Sequence, residues 1–114
     1  MISKGSRIGR SIFKKALAGS RPFSTGLLTL QFARTNEKSS HFSVVVGKTV
    51  AKSAVARNKI RRRIYGILQK SQKNLVQQGY FMIFVKKGAK GATFDTIEKA
   101  CLEVLIKAKV IQNH

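Results

Sequence analysis

Apolar residues recur along this chain in blocks of two different periods. Ile8, Ile12, Phe13 and Leu17 fall at helical spacing, which predicts a helix from Ile8 to Ala18 that Gly19, Ser20 and Pro22 stop. Leu27 to Arg34 is rich in β-compatible residues and reads as a strand. After the polar turn Asn36–Ser40, Phe42, Val44 and Val46 alternate with their neighbours as a second strand. These two strands are expected to pair as an antiparallel hairpin.

The period then returns to 3.6. Val55, Ile60, Ile64, Ile67, Leu68 and Leu75 keep to one helical face, and Arg57, Lys59, Arg61, Arg62, Lys70 and Lys73 fall largely off it. Beyond Gly79, the run Tyr80 to Val85 is fully apolar, as suits a central strand covered on both faces. A basic loop, residues 86–91, leads to a last helix beginning near Thr93. Phe94, Ile97, Cys101, Val104, Leu105 and Ala108 are expected on its buried side. Asp95 and Glu98 near its start and Lys107 and Lys109 near its end suit the helix dipole. The expected architecture is one α+β domain over residues 1–114, in the order α-β-β-α-β-α, with the helices on one side of a single sheet.

Composition narrows the function. Of 114 residues, 23 are Lys or Arg and 4 are Asp or Glu, a formal net charge of +19. With 43% apolar residues the chain has the makings of a core, so the charge belongs to a folded protein that meets a polyanion. The first 36 residues, basic and free of acids, have the composition of a transit peptide, but the same apolar positions fit a short docked helix. No apolar run has the roughly 18 residues needed to cross a membrane, so no membrane partner is expected.

The side chains for independent catalysis are sparse. Glu37, Asp95, Glu98 and Glu103 are the only acids, and Asp95 and Glu98 suit a dipole role. His41 and His114 have no metal-ligand spacing, and Cys101, the single cysteine, lies on an apolar helix face as a buried small hydrophobe. What stands out is residues 57–63: Arg57, Asn58, Lys59, Arg61, Arg62 and Arg63 around the single apolar anchor Ile60. Guanidinium forks bind phosphate oxygens in pairs, and a helix start aims unpaired amides at an anion. Within a screening length of about 10 Å such clustered charges repel unless a polyanion neutralises them. No supporting helix and turn precede this one as a helix-turn-helix would require, so a folded RNA suits it better than DNA. Phe13, Phe23, Phe32 and Phe42 are either core residues or platforms for stacked bases.

These residues resemble a family, the protein subunit of bacterial ribonuclease P. The likeness is densest at Val46-Gly47-Lys48-Thr49, Ala54 and Arg57-Asn58-Lys59-Ile60-Arg61-Arg62, beside the family's V-x-K-K and A-x-x-R-N-R-x-K-R pattern. Arg7-Ile8, Phe13 and Leu17 resemble its first helix, and Gly79 to Val85 resembles the strand after its long helix. Lys59 stands for the second Arg of R-N-R and keeps charge without the fork. Thr49 and Tyr65 stand at positions that are basic in the family, and Leu17 at one that is commonly aromatic.

The resemblance implies a fold with a left-handed strand-helix-strand crossover, against the general right-handed rule. It implies that Arg57, Asn58, Lys59, Arg61 and Arg62, with Lys48 and Lys52, bind the catalytic RNA subunit. Phe13, with sheet residues near Phe32 and Lys48, would line a cleft for the 5′ leader of precursor tRNA, and Mg²⁺ would act mainly through the RNA. The implied location is the bacterial cytoplasm. Two rival readings remain on the residues alone: a small basic ribosomal protein, and a metal-dependent nuclease acting unaided.

Overall fold

Where the chain needs a covered strand, it finds covers on both faces. A computed structural model describes residues 8–111; Arg7 and His114, singled out above, lie outside them. Its elements are α1 (Arg10–Ala18), β1 (Arg21–Ser24), β2 (Leu28–Arg34), β3 (His41–Val46), α2 (Ala54–Ser71), β4 (Gly79–Val85) and α3 (Phe94–Lys107), with single 3-10 turns at Gln72–Asn74 and Lys87–Ala89. This is an α+β fold with one mixed four-stranded sheet in the order β1-β2-β4-β3.

β4 is the centre of that sheet. It runs antiparallel to β2, with Leu30 opposite Ile83, and parallel to β3, with Val44 opposite the same Ile83. The expected hairpin between β2 and β3 is therefore absent: β4 lies between them. The reason is the apolar run itself, since Phe81, Met82 and Ile83 are fully buried and a strand buried on both faces needs a hydrogen-bonded neighbour on each edge. β2 finds its hairpin partner in β1, a strand that the expected order lacks. Pro22, expected as a helix stop, sits opposite Gln31 on this edge strand, a place where a missing N–H is tolerated. Thr25 shapes the turn, its Oγ1 accepting from the amides of Leu27 and Leu28 at 3.2 Å.

The helices do not share one side. α2 and α3 cover one face, packing Ile64, Leu68, Ile97, Cys101 and Leu105 on Leu30, Phe42, Phe81 and Ile83. α1 covers the other, with Ala16 against Ala33 and Met82 and with Phe13 and Ile8 alongside. The alternation of β4 dictates this, because Phe81 and Ile83 point one way and Tyr80, Met82 and Phe84 the other. Four residues expected on buried faces lie outside the core: Ile12 and Leu17 are 46% and 36% exposed on α1, which docks through Phe13 and Ala16 instead, Val55 is 76% exposed in the first turn of α2, and Phe94 is 40% exposed at the start of α3. Thr93 caps α3 by accepting from the Thr96 amide at 3.2 Å, with Asp95 in the first turn and Lys107 in the last. At the far end of the connection, Gly79 meets the Ala33 carbonyl and the Phe32 ring so closely that a Cβ has no room.

Candidate nucleic-acid interface

The start of α2 is set by the turn that leaves β3. The amides of Val50 and Ala51 donate to the Gly47 carbonyl, and the buried Val50 side chain pins that turn to the core. Ser53 then caps the helix, its Oγ accepting from the Ala56 amide at 3.0 Å. No acid occupies the first turn, so the positive end of the helix dipole is left to whatever anion approaches.

On this start the basic residues do different things. Arg57 is half-buried and bends back, Nη1 donating to the carbonyls of Ala51 at 2.9 Å and Lys52 at 2.7 Å. It braces the turn while its other N–H groups stay available. One helical turn on, Arg61 Nη2 donates to Asn58 Oδ1 at 2.7 Å. That bond explains the Asn among cations: a neutral acceptor orients the guanidinium without cancelling its charge. Arg61 Nε is buried and has no hydrogen-bond partner among the described residues. Lys59 and Arg62 are exposed, while Arg63 turns toward α3, its guanidinium 5.5 Å from the Phe94 ring centroid.

Tyr65, in place of a basic residue, is buried and accepts from the Val44 amide at 3.2 Å through its hydroxyl, tying α2 to the edge strand β3. Beside the helix start, Lys48 and Lys52 line a depression of about 400 Å³ together with Lys87 and Lys90. In the sequence the last two stand apart, in the basic loop after β4. The missing signal is topological: β3 and β4 are parallel neighbours, so the loops leaving their carboxyl ends must emerge at the same end of the sheet.

The aromatic candidates separate. Phe13 lies on the α1 face, 6.2 Å from Phe84 at a tilt of 58°. On the same face the exposed Val45 and the His41–Tyr80 stack, with centroids 5.3 Å apart, continue the surface. His41 Nε2 also lies 3.2 Å from Glu37 Oε2, a partner four residues back. Phe32 is instead 8% exposed on the opposite face, packed 4.9 Å from Phe81. Its register opposite Phe81 turns it into the main core, so it does not share a cleft with Phe13. Phe23 packs at the margin of that same core, and Phe42 is buried within it.

The family model described as Ribonuclease P matches residues 6–109. The chain belongs to this family. A ribonuclease P protein component of Streptococcus pneumoniae is 38% identical over 80 residues, which cover 68% of this chain and 63% of that relative's length. Among solved structures, a Staphylococcus aureus RNase P protein superposes with a TM-score of 0.85 at 22% identity, over 96% of this chain and 100% of the other. The RNase P protein of Thermotoga maritima gives 0.80 at 17% identity, over 89% and 96%. At those identities the structures speak for the fold, and they agree with its architecture of one mixed sheet and three helices.

For a ribonuclease P family protein, the distribution of acids is informative. Glu37 pairs with His41, Glu103 lies 3.1 Å from Lys107 Nζ, and Asp95 sits in the first turn of α3. Among the described residues no three His, Cys, Asp or Glu side chains gather into a metal-binding group. Cys101 is fully buried, and burial, with Glu98 nearby, pushes its thiol from the ordinary 9.0 up to about 12, which makes it a poor nucleophile. No described helix is long and apolar enough to cross a membrane.

Proposed function

We propose that this chain is the protein subunit of ribonuclease P and assists removal of the 5′ leader from precursor tRNA. The observation that carries the reading is the assembly of Arg57, Asn58, Arg61 and Arg62 on the first turns of α2, within a chain that the family model matches from residue 6 to residue 109. Lys59, Lys48 and Lys52 extend that surface, and all of it serves the catalytic RNA subunit. Arginine forks engage pairs of phosphate oxygens, lysines add point charge, and the uncompensated helix start adds its dipole.

The leader of the precursor occupies the other face. Phe13 and Phe84 offer rings, and an unpaired leader has free bases to stack on them, which gives sequence-tolerant binding. Phe32, buried on the opposite side of the sheet, has no part in it. Hydrolysis belongs to the RNA subunit with Mg²⁺, for which this chain offers no ligand cluster among its described residues. The protein's contribution is to neutralise repulsion between two RNAs and to hold the substrate strand.

The deciding experiment compares processing of a leader-bearing precursor tRNA by a bacterial ribonuclease P RNA alone, by this chain alone, and by both at low salt. The expected result is no cleavage by the chain alone and faster cleavage by the pair than by the RNA. Cleavage by the chain alone overturns the reading in favour of a nuclease. Absence of any stimulation overturns it in favour of a basic protein of another ribonucleoprotein.

A further inference from the structure

A second basic site lies at the diagonally opposite corner of the fold. Arg21 and Phe23 of β1, Phe32 and Arg34 of β2, and Lys107 and Lys109 at the end of α3 line a groove of about 630 Å³, within the size range of nucleotide-sized ligand sites. No acid lines it. Arg34 is paired with Gly79 at the start of β4, whereas α2 begins beyond Val46, which is paired with Val85 at the end of β4. The two basic sites are thus separated by the length of the central strand, roughly 20 Å, and by the full width of the sheet from β1 to β3.

Three features show that folding alone does not account for the groove. Arg21 is opposite Phe32 in the register, so Arg34, two residues further along on the same face, is its diagonal neighbour, and two cations so placed repel. Among the described residues, neither guanidinium nor the Lys109 ammonium has a hydrogen bond or ion pair, although Lys107 is occupied by Glu103 and by the Ser24 carbonyl.

The third feature is backbone strain. Lys109 has φ 59°, the only positive φ among the described non-glycine residues. It closes α3: its amide donates to the Ile106 carbonyl, and the Val110 amide donates to the Leu105 carbonyl. Glycine is the residue this cap prefers, and a side chain there carries strain. The Lys109 carbonyl is also fixed, accepting from Gln77 Nε2 at 3.0 Å. A strained, fixed position thus carries a cation at the groove, where glycine would serve the fold better.

We infer that this groove is a second binding surface for the RNA subunit, taking phosphates between Arg21, Arg34 and Lys109, with the half-buried Phe23 among its lining. The inference rests on the proposed ribonuclease P role. It assigns the groove to the RNA subunit because the leader surface lies on the α1 face, whereas this groove and the start of α2 flank the opposite layer. A body that reaches both corners must be at least as broad as the protein, whose longer dimensions are 37 and 35 Å, and a large folded RNA is.

The test uses the full chain and a labelled bacterial ribonuclease P RNA, with affinity measured across a salt series. Lys109→Gly should raise Tm while weakening RNA binding about threefold, and Arg21→Ala with Arg34→Ala should weaken it about tenfold. The double variant should flatten the salt slope by about 0.7–0.9 for each phosphate it no longer neutralises. A purely structural Lys109 would give the Tm gain with unchanged affinity, which overturns the inference. Unchanged binding by the arginine variants overturns it as well, leaving only solvated charge. If the loss appears only in the preference of the assembled holoenzyme for leader-bearing over mature tRNA, the groove serves the precursor and the inference is wrong. In parallel, Arg57→Ala, Arg61→Ala and Arg62→Ala together report on the α2 surface. Their failure to weaken RNA binding would remove that interface without touching the groove result.

Discussion

Asn58 and Arg61 are joined by a 2.7 Å hydrogen bond across one turn of α2, and the bond fixes which way the guanidinium faces. Among the described residues Arg61 Nε is buried without a partner, and Asn58 supplies the only side-chain hydrogen bond to the guanidinium. Asn58→Ala should therefore act through Arg61. Freeing one long side chain costs about 0.5–1.5 kcal/mol on binding, an expected loss of RNA-subunit affinity of about 2- to 10-fold with Tm nearly unchanged. In a double-mutant cycle, Asn58→Ala should have little further effect once Arg61 is Ala. Additive losses would mean that Asn58 touches RNA independently of Arg61.

Arg57 and Arg62 should part company in stability. Arg57 donates to two carbonyls of the turn before the helix and is half-buried, whereas Arg62 is exposed with no such role. Removing charged hydrogen bonds at a partly solvated site costs about 1 kcal/mol, so Arg57→Ala should lower Tm by about 4 °C. Arg62→Ala should leave Tm unchanged and make the salt slope of RNA binding shallower by about 0.7–0.9, the share of one phosphate. Equal thermal stability of the two variants would show that the Arg57 bonds do not brace the turn in solution.

Phe13 should matter to the leader more than to the fold. Stacking a base on an aromatic ring is worth about 1–3 kcal/mol, so Phe13→Ala should weaken binding of leader-bearing precursor at least fivefold more than that of mature tRNA. Phe13→Leu keeps apolar bulk against Phe84 but removes the ring face, which separates missing stacking from a loosened α1. Equal losses for precursor and mature tRNA in both variants would remove Phe13 from the leader surface.

The sequence makes some of this visible and hides the rest for physical reasons. The continuous apolar run of β4 announces a doubly covered strand, and the 3.6 periodicity of α2 places Arg57, Asn58, Arg61 and Arg62 together, because both are local properties of the chain. Pairing is not local. Nothing near Phe32 reveals that Phe81 lies opposite it, and that register decides that Phe32 is core while Phe13 is not. Lys87 and Lys90 are hidden in the same way, since only the parallel pairing of β3 and β4 brings them to Lys48 and Lys52. Pro22 misleads because proline ends helices and equally suits an edge strand.

Cys101 offers a check on the core through pH. Its thiol is fully buried between α3 and the sheet, and burial raises its pKa to about 12, with Glu98 adding to the effect. An unfolded thiol ionises around its ordinary value of 9.0. Below that value both states are protonated and the thiol gives no pH dependence. Between about 9 and 12 the unfolded chain releases a proton that the native one keeps, so native stability falls as pH rises, by up to about 1.4 kcal/mol per unit. Many lysines titrate in the same range, so the comparison is with Cys101→Ala, which lacks the thiol. Urea unfolding at pH 7.5, 9 and 10 should find the wild type more stable at pH 7.5 and the gap shrinking above pH 9. A thiol reagent at pH 8 should label the native protein only as fast as it opens, and rapid labelling of the native state would place Cys101 at the surface.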